Sequence, residues 1–376
     1  LNMFNIFTSV KNTISVILFL IAFLHFSSFI PTFYKLISNY KEANLIIFLN
    51  DVGDELYTAV GNYGFERGRV NVVLNDAGPV EKMEENRSFI LARRAEGDKA
   101  LKNAITKLAE FNKGNIKNEI IKITQLADKI ENLRNETAKD LLIPKFQRKP
   151  GLAEFWFTGM TAYIESIESL LVDISGYISD ADGVIGRYSF LKHETMALRN
   201  VAGPEMSILS ATMLSNSPLS PSLEQKIKNL QIETKSHFQR LDYLCQSLSN
   251  SQISNSLKEL RKSYYDDYVP WREIVFPLAL KGGPYPYSQP EFLNRGVKAL
   301  QQITALMENI VDVTKNYANY RLAEIRKNII FQVISSFGSL LLIILVFVFA
   351  NNRVFQPIDQ VTSAILRLGK KDLDLL

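Results

Sequence analysis

The chain has 376 residues, 47% of them hydrophobic and 22% charged, with a formal net charge of +4. That length exceeds one average domain and allows a sizeable core. The 43 basic residues are interleaved with 39 acidic ones, which argues against the one-sided basic face of a nucleic-acid binder. A single cysteine, Cys245, excludes an intrachain disulfide. His25, His193 and His237 are far apart, so no clustered metal site, redox pair or other cofactor is expected.

A short tail (residues 1–11) leads into an uncharged stretch from Asn12 to Tyr34 with the apolar run Ile14–Leu24 at its centre. About 20 apolar residues span a hydrocarbon core of ~30 Å as a helix. The stretch is longer than the ~7–15 residue apolar region of a signal peptide, and no small-residue cleavage site follows it. It is therefore expected to be a retained transmembrane helix (residues 12–34).

Residues 35–328 are expected to form an all-α body of antiparallel helices. Leu101, Ile105 and Leu108, and then Ile116, Ile120, Ile123, Ala127 and Ile130, recur at the three-and-four spacing of amphipathic helices. Turn-forming clusters at Asn75–Pro79, Pro144–Gly151, Ser215–Pro221 and Lys281–Pro290 divide the body. The order of elements suggests an internal duplication with halves 35–180 and 181–328. Glu66-Arg67-Gly68-Arg69 and Glu205-Met206-Ser207-Ile208 each open an amphipathic helix in this reading. Leu133-Arg134 before Pro144 parallels Leu260-Arg261 before Pro270, and Glu154-Phe155 parallels Glu291-Phe292.

These motifs resemble the NIT family, the nitrate- and nitrite-responsive helical sensor domains of bacterial receptors. Glu66-Arg67-Gly68, with Leu74 after it, matches a Glu-Arg-Gly turn of that family. Arg94-Ala95-Glu96-Gly97-Asp98-Lys99-Ala100-Leu101 matches its next stretch except at Gly97. Ala202-Gly203-Pro204-Glu205-Met206-Ser207 keeps the frame of a third, with Met206 in place of arginine. The resemblance covers roughly 250 residues. It implies two stacked antiparallel four-helix bundles with an anion site between them.

The second apolar stretch, residues 329–350, holds the run Leu340–Phe349 and is expected to be a second transmembrane helix. Positive charge flanks both stretches, so it does not settle the orientation. In the tail (residues 351–376), Pro357 suits a first helical turn. Ile358, Val361, Ile365 and Leu368 form an apolar stripe for a parallel partner helix, and Gly369 suits a helix end. The tail resembles the first helix of a HAMP linker. That resemblance implies cytoplasmic termini, a periplasmic sensor domain in a bacterial inner membrane, a homodimer and an output module downstream, of histidine kinase, chemoreceptor or cyclic-dinucleotide enzyme type. Pro357 and the stripe would then relay the signal.

A small anion such as nitrate needs convergent guanidinium donors. Arg67 and Arg199 are the leading ligand-binding candidates, with Arg94 third and Arg93 beside it a further candidate. Tyr264, Tyr265, Tyr268 and Trp271 read as packing at a chain turn or as the lining of an organic-ligand pocket. No nucleophile elbow, metal helix or phosphate loop occurs, so the fragment is not expected to be an enzyme. The leading expectation is a ligand-sensing receptor module. The alternative is a module that binds a periplasmic protein partner, including a binding protein that captures the small molecule first, or a structural scaffold.

Overall fold

The computed structural model describes residues 3–76, 84–109, 111, 115–215 and 217–369. It is all-helical, with no strand among those residues. In chain order the helices are α1 (Met3–Asn75), α2 (Glu84–Leu108), α3 (Ile116–Asp140), α4 (Leu152–Ala181) and α5 (Gly183–Ser215). Then follow α6 (Pro221–Leu248), α7 (Ser251–Arg261), α8 (Val269–Ala279), α9 (Gln289–Ala350) and α10 (Gln356–Gly369). Two segments are π-helical, Lys262–Tyr268 and Asn351–Phe355. The chain divides into two compact units, Leu45–Ala318 and the combination of Leu1–Asn44 with Asn319–Leu376.

The larger unit holds two hydrophobic cores. The first draws chiefly on α1 to α4, around Trp156, Tyr63 and Leu56. The second draws on α5 to α9, around Phe238, Tyr264, Tyr268 and Phe292. Spacing explains the packing. Buried positions of α4 fall at Leu152, Trp156, Met160, Tyr163, Ile167, Leu170, Ile174 and Ile178, alternating three and four residues along one face. In α6 the same rhythm runs through Ile227, Leu230, Thr234, Phe238, Leu241 and Cys245. Burial pushes the Cys245 thiol up to about 12, which leaves it a small hydrophobe.

Helix ends are closed by side chains where the sequence supplies them. The Ser220 hydroxyl accepts from the Leu223 N–H, with Pro221 at the first helical position. Asn250 caps α7, and the Asp182 carboxylate accepts from the N–H groups of Val184 and Ile185 at the start of α5. Gly151, at φ 76°, takes the left-handed turn into α4. Arg148 serves two helix C-termini at once. Its Nη1 donates to the carbonyls of Val73, Leu74 and Asp76, and its Nε to those of Asp140 and Ile143.

Several sequence expectations change. The turn cluster at residues 75–79 lies partly outside the described residues, but α1 does end at Asn75. Glu66-Arg67-Gly68 does not open a helix or form a turn; it lies in the last turns of α1, and Glu205 lies inside α5. A Cβ at Gly68 would stand 3.9 Å from the Ser207 side chain of α5, an ordinary contact that does not by itself require glycine. Pro270 does not break the chain as Pro144 does. It stands in the first turn of α8, where no N–H is required, directly after the π-helical segment. There the Val269 N–H reaches back five residues to the Tyr264 carbonyl.

In the smaller unit, α1 and α9 each contain a stretch long and apolar enough to cross a membrane, with windows of mean hydropathy 2.1 and 2.7. His25 Nε2 meets the hydroxyls of Ser336 and Ser339 at 3.2 and 2.9 Å. Pro357 occupies the second position of α10, and Val361 and Ile365 are exposed along it. The Leu368 side chain and residues 370–376 lie outside the described set.

Candidate functional site

Two buried carboxylates organise the interior of the larger unit. Glu66 of α1 is fully buried and receives two arginines. Arg134 of α3 donates through Nε and Nη2 at 3.0 and 2.7 Å, and Arg94 of α2 through Nε at 2.8 Å. Arg134 also donates to both Asp98 oxygens, at 3.1 and 3.0 Å. Glu205 of α5, equally buried, faces Arg272 of α8 at 3.5 Å. It also accepts from Gln231 at 2.9 Å and from the Tyr264 hydroxyl at 3.3 Å. The second arrangement repeats the first about 139 residues on. The counterpart of Arg134 is Arg272, not Arg261 as the sequence parallel suggested; Arg261 pairs with Asp242.

Beside this framework, α1 and α5 meet through small residues. The Ser207 hydroxyl donates to the Gly68 carbonyl at 3.3 Å and accepts from the Asn71 side chain at 2.9 Å. A Cβ at Gly64 would fall on the Arg199 guanidinium, so glycine there is what lets that arginine lie against α1. The result is a cluster of guanidinium groups. Arg199 is 3% exposed, its charge 4.2 Å from the centre of the Phe65 ring, and its Nε and Nη2 have no hydrogen-bond partner among the described residues. Arg67 is 4% exposed; its Nη1 donates to the Thr161 hydroxyl at 3.0 Å, and its charge lies 5.0 Å from the Phe157 ring centre. Trp156 anchors the same turn by donating its indole N–H to the Arg67 carbonyl at 3.1 Å.

The electrostatics follow from burial. Desolvation, with the repulsion of Arg67 and Arg93 added, lowers Arg199 to about 9. Desolvation lowers Arg67 to about 10, against the pull of Glu168 and Glu165. Glu168 attracts both arginines, but burial raises it to about 7, with Arg67 opposing the rise and Glu165 adding to it. Asn200 donates to the same carboxylate. The cluster therefore carries more buried positive charge than its protein neighbours neutralise. An uncompensated buried ion costs several kcal/mol, roughly, and an anion at Arg199 would recover part of that.

Arg199 lines two cavities. The smaller, about 30 Å³, also touches Gly64, Arg67, Gly68, Gly203 and Met206. The larger, about 300 Å³, lies among α1, α2, α5 and α9 and is bordered by Phe65, Arg93, Met196 and Met307.

The structure thus brings Arg67 and Arg199 to one small cavity and places Arg94 apart, its Nε held by Glu66. Reading the sequence missed Glu168. Of the adjacent candidates Arg93 and Arg94, it is Arg93 whose charge acts on Arg199. Met206, one residue after Glu205 as Arg67 is after Glu66, puts a buried thioether against Gly296 in the second core. Of the aromatic group, Tyr264 and Tyr268 are fully buried in that core, Tyr265 packs on Phe238, and Trp271 stacks on Tyr287 at 3.7 Å. Asp267 pairs with Arg295 and Lys298. No cluster of three or more metal-ligating side chains occurs among the described residues.

No family profile matches the chain, and no curated protein matches it. Among solved structures, the NasR transcription antiterminator superposes with a TM-score of 0.62 at 14% identity, over 82% of this chain and 81% of that one. The all-helical chain is similar in fold to that protein.

Proposed function

We propose that the chain is the ligand-sensing input module of a dimeric bacterial transmembrane receptor, with a small anion, nitrate foremost, held at Arg199 in the company of Arg67 and Arg93. The observation that carries this reading is the Arg199 guanidinium: buried, repelled by two other arginines, and with Nε and Nη2 unsatisfied. Native interiors rarely leave such donors without a partner, and functional sites are where they do. The resemblance of Glu66-Arg67-Gly68 and Ala202–Ser207 to the NIT family points to the same ligand. The likeness to NasR supports the helical fold that this reading requires.

In this reading the two cores are two stacked four-helix bundles derived by duplication, an origin supported by the matching Glu66–Arg134 and Glu205–Arg272 pairs. The larger unit is periplasmic, the two apolar stretches cross the inner membrane, and the α10 stripe of Ile358, Val361 and Ile365 pairs with a second copy as a HAMP helix. An anion draws Arg199 and Arg67 into one arrangement and so favours one packing of α1 against α5. α9 borders the larger cavity at Met307 and continues as one helix to Ala350, offering a path for that shift. The ligand moves the equilibrium only by its difference in affinity for the two packings.

The test uses the full chain in detergent, with thermal shift and calorimetry against nitrate, nitrite and acetate, and sedimentation for the oligomeric state. Nitrate should raise Tm in a dimer and fail to do so in Arg199→Ala. A folded helical dimer that responds to none of the anions would replace this reading with that of a protein-partner module.

A further inference from the structure

The cavity of about 300 Å³ beside Arg199 is larger than a four-atom anion needs. It falls at the lower end of the range for pockets that enclose organic ligands. Three of the six charged residues on its wall, Asp54, Arg93 and Glu96, are already matched. Asp54 receives Lys192, which also donates to Asn50 at 2.9 Å. Arg93 donates through Nη1 to Asn62 and to Glu96.

Three wall charges are not matched. Arg199 lies on the wall as a buried residue whose Nε and Nη2 have no hydrogen-bond partner among the described residues. Glu308 and Asp312 are exposed, one helical turn apart on α9, and take part in no ion pair among the described residues. Between the opposite charges the wall is apolar, formed by Phe65, Met196, Ile303, Met307 and Val311.

We infer that this cavity binds a small organic zwitterion, its carboxylate on the Arg199 guanidinium and its ammonium toward Glu308 and Asp312. The inference rests on the reading of Arg199 as an anion-binding group and names the chemical class of its ligand. Nε and Nη2 lie along one edge of the guanidinium, spaced to meet both oxygens of a carboxylate. Burial makes that end selective for a permanent anion. The acids at the solvent side select a cation, and the apolar wall between them accepts methylene groups. A plain carboxylate would satisfy only the arginine and leave the acids repelling it.

The test titrates the full chain in detergent with matched sets: γ-aminobutyrate, butyrate and butylamine; then glycine and acetate; and nitrate alone. In at least one set the amino acid should bind about tenfold or more tightly than its plain carboxylate. The double variant Glu308→Gln with Asp312→Asn, both at exposed positions, should keep its helical circular dichroism and lose that advantage while still binding the carboxylate. Equal affinity for amino acid and carboxylate, or an advantage that survives the double variant, overturns the inference. If nitrate binds and depends on Arg199 while no zwitterion does, this inference falls and the anion-sensor reading stands. If nothing in the panel binds, both fall.

Discussion

Arg199 of α5 lies over Phe65 of α1, its guanidinium carbon 4.2 Å from the ring centre, with two of its nitrogens unanswered among the described residues. The aromatic face offsets part of the cost of burying that charge, by about 0.5–2 kcal/mol, and the remainder weighs on the ligand-free protein. Arg199→Met keeps the volume and removes the charge. It should raise the ligand-free stability by roughly 1–3 kcal/mol, a Tm increase of a few degrees, while abolishing any anion response. Differential scanning fluorimetry with and without nitrate reads both effects. A lower Tm in the ligand-free variant would show the arginine to be structural.

Gly64→Ala tests the same contact from the other helix. Alanine favours a helix interior over glycine by about 1 kcal/mol, so α1 itself is not weakened. The added methyl, however, occupies the place of the Arg199 guanidinium and must displace it. Helix content should hold and ligand affinity should fall at least tenfold, read by calorimetry; unchanged affinity would mean that Arg199 does not bind where it now lies.

Glu66 has the opposite character, a buried acid satisfied by two arginines. Glu66→Gln leaves Arg134 and Arg94 without their shared counter-charge and should cost about 3–5 kcal/mol in denaturant unfolding. A loss below 1 kcal/mol, roughly, would show that Asp98 alone suffices for Arg134.

Glu168 gives a pH signature. Its folded value is raised to about 7, so the folded protein holds this proton more tightly than the unfolded chain does. That contribution is complete below the ordinary carboxylate value near 4.5 and is lost as pH rises through 7. It amounts to roughly 2–3 kcal/mol, and Glu168→Gln should remove it, flattening Tm between pH 5 and 8, about. Anion affinity should weaken over the same interval, since ionised Glu168 supplies Arg67 with a competing charge. A wild-type Tm that climbs from pH 5 to 8, about, would reverse the assigned sign.

Much of the helical architecture was legible because it rests on period. The α4 stripe from Trp156 to Ile178 can be read without coordinates, and so can the turn clusters at Pro144–Gly151, Ser215–Pro221 and Lys281–Pro290. What escaped was decided by contacts between distant residues. Glu66 and Arg134 are 68 positions apart, and no local pattern says that Arg134 turns inward while Arg93 turns to the cavity. Pro270 read as a break because proline usually is one; the preceding π-helical segment already redirects the backbone hydrogen bonds, so the proline costs nothing there. Gly64 carried no turn signal of its own, and only the approach of Arg199 from α5 shows why it is small.

The π-helical segment Asn351–Phe355 sits between α9 and α10. A π turn holds one residue more than an α turn, and one residue in an α-helix is about 100° of rotation. The segment therefore acts as a phase shifter, fixing the azimuth at which Val361 and Ile365 emerge relative to the apolar stretch of α9. Deleting a single residue there would keep the path helical and turn that stripe toward a different neighbour, changing its angular setting without altering its chemistry.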